Sequence, residues 1–331
     1  MEFGFSDEQL AFRDAVRELL ADACPPAAVR SAWSGEGPGY DRGLWGTLGE
    51  MGALGLLAPV DDGGLGLTEV DLVLVLEESG RAALPGPLVE HAAVAVPLLA
   101  TAPAGPLDAM IAGKAVATFT DRSSRVGWGA DADVVVVTAG GRLRLADPAT
   151  ATPLACVDRS RRDVALASVT GPVIDGDVDL ALDRAALGAA AQQCGLAAHL
   201  IATTVDYTAA RRQFGVPVGS YQALKHHVAD ALLLLEHARP AVYRAAWSVA
   251  TGQATRGRDV SMARVMADRA AARAARVALQ CHGAIGYTWE HDLHLWLKRV
   301  WVLERAWGTT AHHRARVAAA VVGAEAESSL N

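Results

Sequence analysis

The feature that most constrains this fold is a change of hydrophobic period along the chain, from helical to strand-like near Gly113 and back to helical near Leu180. In residues 6–23, Leu10, Phe12, Val16, Leu19 and Leu20 recur at helical spacing behind Ser6, and Gln9 three residues on makes a capping-box pattern. Residues 68–80 and 87–99 read as two more helices, preceded by the turn-forming cluster Asp61-Asp62-Gly63-Gly64-Leu65-Gly66. Residues 114–120, 132–138 and 142–145 are short β-branched or alternating runs, with Gly140-Gly141 placed for a hairpin between the last two. Long helical patterns then return over residues 181–211, 221–251, 259–281 and 293–322. The order predicts an α+β, mostly α chain: an N-terminal helical domain (1–112), a small middle β domain (113–178) and a C-terminal antiparallel four-helix bundle (179–331).

Composition removes several classes of function. With 51% hydrophobic and 20% charged residues, the 331-residue chain is no disordered polyelectrolyte and has the material for a substantial core. A formal net charge of −7 argues against nucleic acid as the main partner, because phosphate backbones need a basic surface. The first eight residues lack the basic and apolar regions of a secretory signal, and no uninterrupted apolar run approaches the roughly 18–20 residues of a membrane span, so a soluble cytoplasmic chain is expected. Cys24, Cys156, Cys194 and Cys281 are scattered without CxxC spacing, which points to neither a disulfide framework nor a zinc cage. The pairs His226-His227 and His312-His313 diverge on a helix, and His291 with His294 supplies only two ligands, so no metal site is expected.

Three C-terminal segments carry most of the functional information. The first is Arg211-Arg212-Gln213-Phe214-Gly215, followed by Gln222-Ala223 and His226-His227-Val228-Ala229-Asp230. The second is Gln280-Cys281-His282-Gly283-Ala284-Ile285-Gly286, and the third is Glu304-Arg305-Ala306-Trp307-Gly308-Thr309. In this order and spacing the motifs resemble the acyl-CoA dehydrogenase family of flavoproteins, and the likeness extends over nearly the whole chain.

The resemblance implies FAD-dependent introduction of an α,β double bond into an acyl-CoA thioester, here one with a bulky or steroid side chain. A carboxylate takes the α-proton, the β-hydrogen leaves as hydride to the flavin, and an electron-transferring flavoprotein accepts the electrons. It also implies that Arg211, Phe214, Gln222, Gln280 and Gly283 reach the FAD of a neighbouring subunit, with Ala284 where a second Gly is usual. Arg211 would offer a planar fork of donors to a pyrophosphate. Thr309 would meet the FAD of its own subunit, and Thr120 would keep one flavin contact.

Two departures stand against these matches. The position before Gly308-Thr309, where the family commonly carries its catalytic Glu, holds Trp307, and an alternate base position early in the first helix after the β unit holds Ala185. An indole cannot take a proton from carbon. The β unit is also short where a flavin would be held. Asp183, Glu290 and Glu304 are the nearest remaining acids, and each reads as an ion-paired or solvated residue rather than a base. With these departures, the resemblance implies a partner subunit in an α₂β₂ assembly with a homologous dehydrogenase subunit that supplies the base, as in some family members that act on steroid side chains. A homo-oligomer, a relative of the fold doing other chemistry in a biosynthetic pathway and a purely structural partner stay open.

Overall fold

The structure, a computed structural model, describes residues 4–102, 105–147 and 151–328. The capping box at Ser6 forms as expected, with both reciprocal bonds to Gln9, and starts α1 (Asp7–Ala23). After α2 (Pro26–Ala32) and α3 (Arg42–Glu50) a second capping box, Thr68 with Asp71, opens α4 (Glu69–Arg81). The helix expected over residues 87–99 is α5 (Val89–Thr101), but its first half, Val89–Ala95, is wound as a π-helix. The short α6 (Leu107–Ile111) completes this part.

The β elements are β1 (Ala117–Thr120), β2 (Val134–Ala139), β3 (Arg142–Ala146), β4 (Ala151–Pro153), β5 (Val164–Leu166) and β6 (Val173–Ile174). One sheet runs in the order β1-β2-β3-β6, and β4 pairs with β5 in a second. The β2–β3 hairpin turns on Gly140 and Gly141, both at positive φ (58° and 71°), as a two-residue primed turn requires. His91 of α5 couples this unit to the first helices. The amide of Ala117 donates to His91 Nδ1 at 3.0 Å, so Nε2 carries the proton and donates to the Met110 carbonyl at 3.1 Å.

Four long helices follow: α7 (Val178–Ala210), α8 (Gln222–Ala250), α9 (Arg256–His282) and, past the short α10 (Leu293–Leu303), α11 (Thr310–Ser328). Between α7 and α8 lies a small hairpin of β7 (Arg212–Gln213) and β8 (Val216–Pro217). Helices α7, α8 and α9 pack together, and α4 lies on α7. That last approach is close because Gly80 faces the Gln192 backbone and Gly195 faces that of Glu77, where any Cβ would collide. α7 is long and apolar enough to cross a membrane, yet 89% of its most apolar window is buried inside the protein, as suits a central core helix.

One expectation needs correction. The continuous helix read over residues 293–322 is broken between Leu303 and Thr310. Trp307 and Gly308 adopt φ of 48° and 102°, which no helix accommodates.

Candidate active-site cavity and the exposed bundle end

The α10–α11 junction closes one side of a cavity of about 620 Å³ whose other walls are the end of β1, the turn after it and residues 155–163. Trp307, Thr309 and Thr120 all line it. Thr309 caps α11, accepting from the amide of His312 at 3.3 Å. Thr120 is buried, and its hydroxyl is occupied by its own turn: it donates toward the carbonyls of Arg122 and Arg125 at 3.0 and 3.1 Å and accepts from the Arg122 amide at 3.2 Å.

Buried polar groups hold the junction in shape. The Trp307 carbonyl can only accept, so His313 Nε2, 3.1 Å away, is the protonated nitrogen, and Nδ1 takes the hydroxyl proton of Ser261 at 3.2 Å. Burial and the nearby Arg264 push the His313 pKa down to about 3, which keeps the ring neutral and this arrangement intact. Arg264, fully buried, donates to Asp268 and to the carbonyls of Leu303 and Ala306. Asp268 also accepts from the Thr310 hydroxyl at 3.1 Å and from Gln193 at 3.3 Å. Burial raises the Asp268 carboxyl to about 6 despite the opposing charge of Arg264. Both ends of the Leu303–Thr310 break are thereby tied to α9.

The remaining acids near this junction are committed elsewhere. Asp163 pairs with Arg125 and Arg161 at 2.6 and 3.2 Å, and Asp121 pairs with Arg122 at 3.0 Å. Glu304 faces a different cavity, of about 640 Å³, beside Asp268. Asp183 accepts from Arg256 and Arg316, each at 2.9 Å, as its reading as an ion-paired residue anticipated. Ala185 is fully buried in α7, and Glu290 is exposed. Among the described residues no group of three or more His, Cys, Asp and Glu could hold a metal.

The other predicted residues gather at one end of the bundle. Tyr207 near the end of α7 stacks on His282 at the end of α9, with ring centroids 4.2 Å apart, and Arg273 of α9 reaches Asp230 of α8 at 3.2 Å. The end of α7, the start of α8 and the end of α9 are therefore neighbours. Phe214 and Gly215 occupy the tip of the β7–β8 hairpin at φ of 52° and 81°, a primed turn that leaves Phe214 91% exposed. Arg211 follows the last residue of α7, Gln222 begins α8, Gln280 lies in the last turn of α9, and Gly283 ends that helix at φ 62°. All five are exposed.

Sequence reasoning missed the groups that brace the junction, Ser261, Arg264, Asp268 and His313, and the arginines of the cavity wall. For the wall a signal existed in the charged run Asp158-Arg159-Ser160-Arg161-Arg162-Asp163. For the brace there was none, because its members lie up to 52 residues apart.

Residues 6–103 match the acyl-CoA dehydrogenase N-terminal domain and residues 178–322 the acyl-CoA dehydrogenase C-terminal domain. The chain is 37% identical over 296 residues to acyl-CoA dehydrogenase IpdE2 of Mycobacterium tuberculosis, covering 88% of this chain and 91% of that protein. It is 36% identical over 295 residues to IpdE2 of Mycolicibacterium smegmatis, covering 89% and 92%. Among solved structures, the ChsE4-ChsE5 complex of Mycobacterium tuberculosis contains a chain that superimposes with a TM-score of 0.84 at 23% identity, over 97% of this chain and 99% of that one. By its matched domains and its relatives, the chain belongs to the acyl-CoA dehydrogenase family of oxidoreductases.

Proposed function

We propose that this chain is the subunit of a heteromeric, FAD-dependent acyl-CoA dehydrogenase that completes the flavin site of a homologous partner but lacks the catalytic base. The observation that carries this reading is the contrast between two sites: five flavin-contacting candidates stand exposed at one bundle end, while the base position is filled by the buried Trp307. The cavity beside Trp307 is a poor fit for a flavin held by this chain alone. The Thr120 hydroxyl is spent on its own turn, and the wall carries four arginines.

The exposed end fits a flavin that rests on another subunit. Arg211 would donate to the pyrophosphate, Phe214 would cover a ring face, and Gln222 and Gln280 would supply amide donors and acceptors. FAD, when bound, supplies hydride acceptance from the β-carbon. This chain's residues orient and shield the cofactor, and the partner's carboxylate takes the α-proton. The likeness to a chain of the ChsE4-ChsE5 complex supports a heteromer, and the likeness to a chain of the Tcur3481-Tcur3483 steroid ACAD, at a TM-score of 0.88, supports a steroid-derived acyl-CoA as substrate. An electron-transferring flavoprotein would then reoxidise the flavin.

The visible spectrum of the purified chain, alone and with a homologous subunit, tests the reading. Flavin absorption near one FAD per heterodimer, seen only in the mixture and reduced in Arg211→Ala, is expected. A chain that fills with FAD by itself and bleaches with acyl-CoA overturns it.

A further inference from the structure

A second groove of the bundle carries charge that the chain itself does not answer. On α9, Arg269, Arg273 and Arg276 follow one another at helical spacing, and Gln280 continues the same stripe one turn further on. From Arg269 to His282 that helix has no acidic residue. Together with Arg314 of α11, the three arginines line the cavity of about 640 Å³ that Glu304 faces.

Three carboxylates share its walls, and two of them are already committed. Asp268 is buried against Arg264, and Asp230 of α8 pairs with Arg273 at 3.2 Å. Arg269, Arg276 and Arg314 are exposed and make no salt bridge among the described residues. Against Glu304 alone they leave an excess of two positive charges, in a chain whose formal charge is −7. The floor of the groove is apolar, with Leu234 and the 56% exposed Leu233 of α8. Apolar surface inside a charged rim is the ordinary make-up of a protein interface.

The place of the stripe says which molecule it meets. Gln280 lies on it, and under the proposed function Gln280 reaches the flavin of the partner subunit, a reading on which this inference rests. A face that carries Gln280 to the partner carries Arg269, Arg273 and Arg276 there as well. A two-fold pair of identical chains brings the same surface to both sides. A second copy would therefore return guanidinium groups to guanidinium groups, whereas a homologous subunit with carboxylates in the matching places would neutralise them. We infer that this groove selects the partner: it receives an acidic face of the homologous subunit and rejects a second copy of this chain.

Association of the full chain, followed by light scattering and by capture on a tagged copy, tests it. Arg269→Glu combined with Arg276→Glu changes only exposed side chains and should keep the urea midpoint. That variant should pair with unmodified copies about tenfold or more tightly than unmodified copies pair with one another. It should lose about tenfold or more in affinity for the homologous subunit used in the flavin test, and the unmodified complex should weaken as salt is raised. Gln at both positions should fall between. The inference is overturned by unchanged affinity of the charge-reversed variant for the homologous subunit, by a complex indifferent to salt, or by unmodified copies that pair with one another as tightly as with that variant. Inorganic phosphate that fills the groove without weakening subunit binding marks a small-anion site and overturns it too. Flavin content of the same samples separates the two readings. A chain that shares the homologous subunit's FAD whatever its charge defeats this inference alone, whereas FAD held by the chain by itself defeats the subunit reading.

Discussion

The α10–α11 junction and the exposed bundle end occupy the same C-terminal domain, yet they are finished in opposite ways. At the junction the carbonyls of Leu303, Ala306 and Trp307 are met from within the chain, by Arg264 and His313, which Asp268 and Ser261 hold in turn. At the bundle end, Arg211, Phe214, Gln222 and Gln280 are held in place by secondary structure while their side chains face outward. A site completed internally keeps its shape at a cost in buried charge. A site left open needs another molecule to complete it.

Breaking the buried pair should have the largest effect. Arg264→Ala strands Asp268 in the core and should cost about 3–5 kcal/mol in urea unfolding, whereas Arg264→Met with Asp268→Leu should recover most of the loss. If the double variant is as unstable as the single one, the pair's role lies in the backbone carbonyls that Arg264 also serves. Arg299→Ala should cost a comparable amount, because Arg299 joins α10 to Asp158, Ser160 and the Leu84 carbonyl.

His313→Ala should cost less, about 1–3 kcal/mol, by leaving the Trp307 carbonyl without its donor. It should also shift Trp fluorescence through a loosened junction. A substitution at Arg211 or Phe214 should change the stability of the isolated chain by no more than about 0.5 kcal/mol, since neither side chain is packed. If Phe214→Ala destabilises the isolated chain like a core variant, the two regions do not differ as described.

Acid should act on the interior. Burial lowers the pKa of His91 and His199 to about 4 and that of His313 to about 3, from an ordinary value of 6.5. Below about pH 6.5 the unfolded chain binds protons that the folded chain refuses, so stability is full above that pH and falls as pH drops toward 4. The urea midpoint measured from pH 7 to pH 4 should decline, and His199→Gln should make the decline shallower.

Much of the fold was legible in local signals. The Ser6–Gln9 capping box and the Gly140-Gly141 hairpin are spelled out within four residues, so their structure follows from short-range bonding. In Arg211-Arg212-Gln213-Phe214-Gly215, by contrast, nothing announced a primed turn with Phe214 at its tip. The break at Trp307 was hidden because residues 293–322 keep a helix-compatible composition throughout. It exists because Gly308 tolerates the turn and because α9 presents Ser261 and Arg264 to hold it.

The sequence by itself determined the helix–sheet–helix order, the approximate extents of α1, α4, α7, α8 and α9 and the absence of an acid at position 307, since each depends on residues within a turn or two of one another. Tertiary structure decided the shape of the α10–α11 junction and the charge of the cavity beside it. Arg122 and Arg161 meet Arg305 and Trp307 only when α10 docks against the β unit, across more than a hundred residues of chain, and no local preference encodes that meeting.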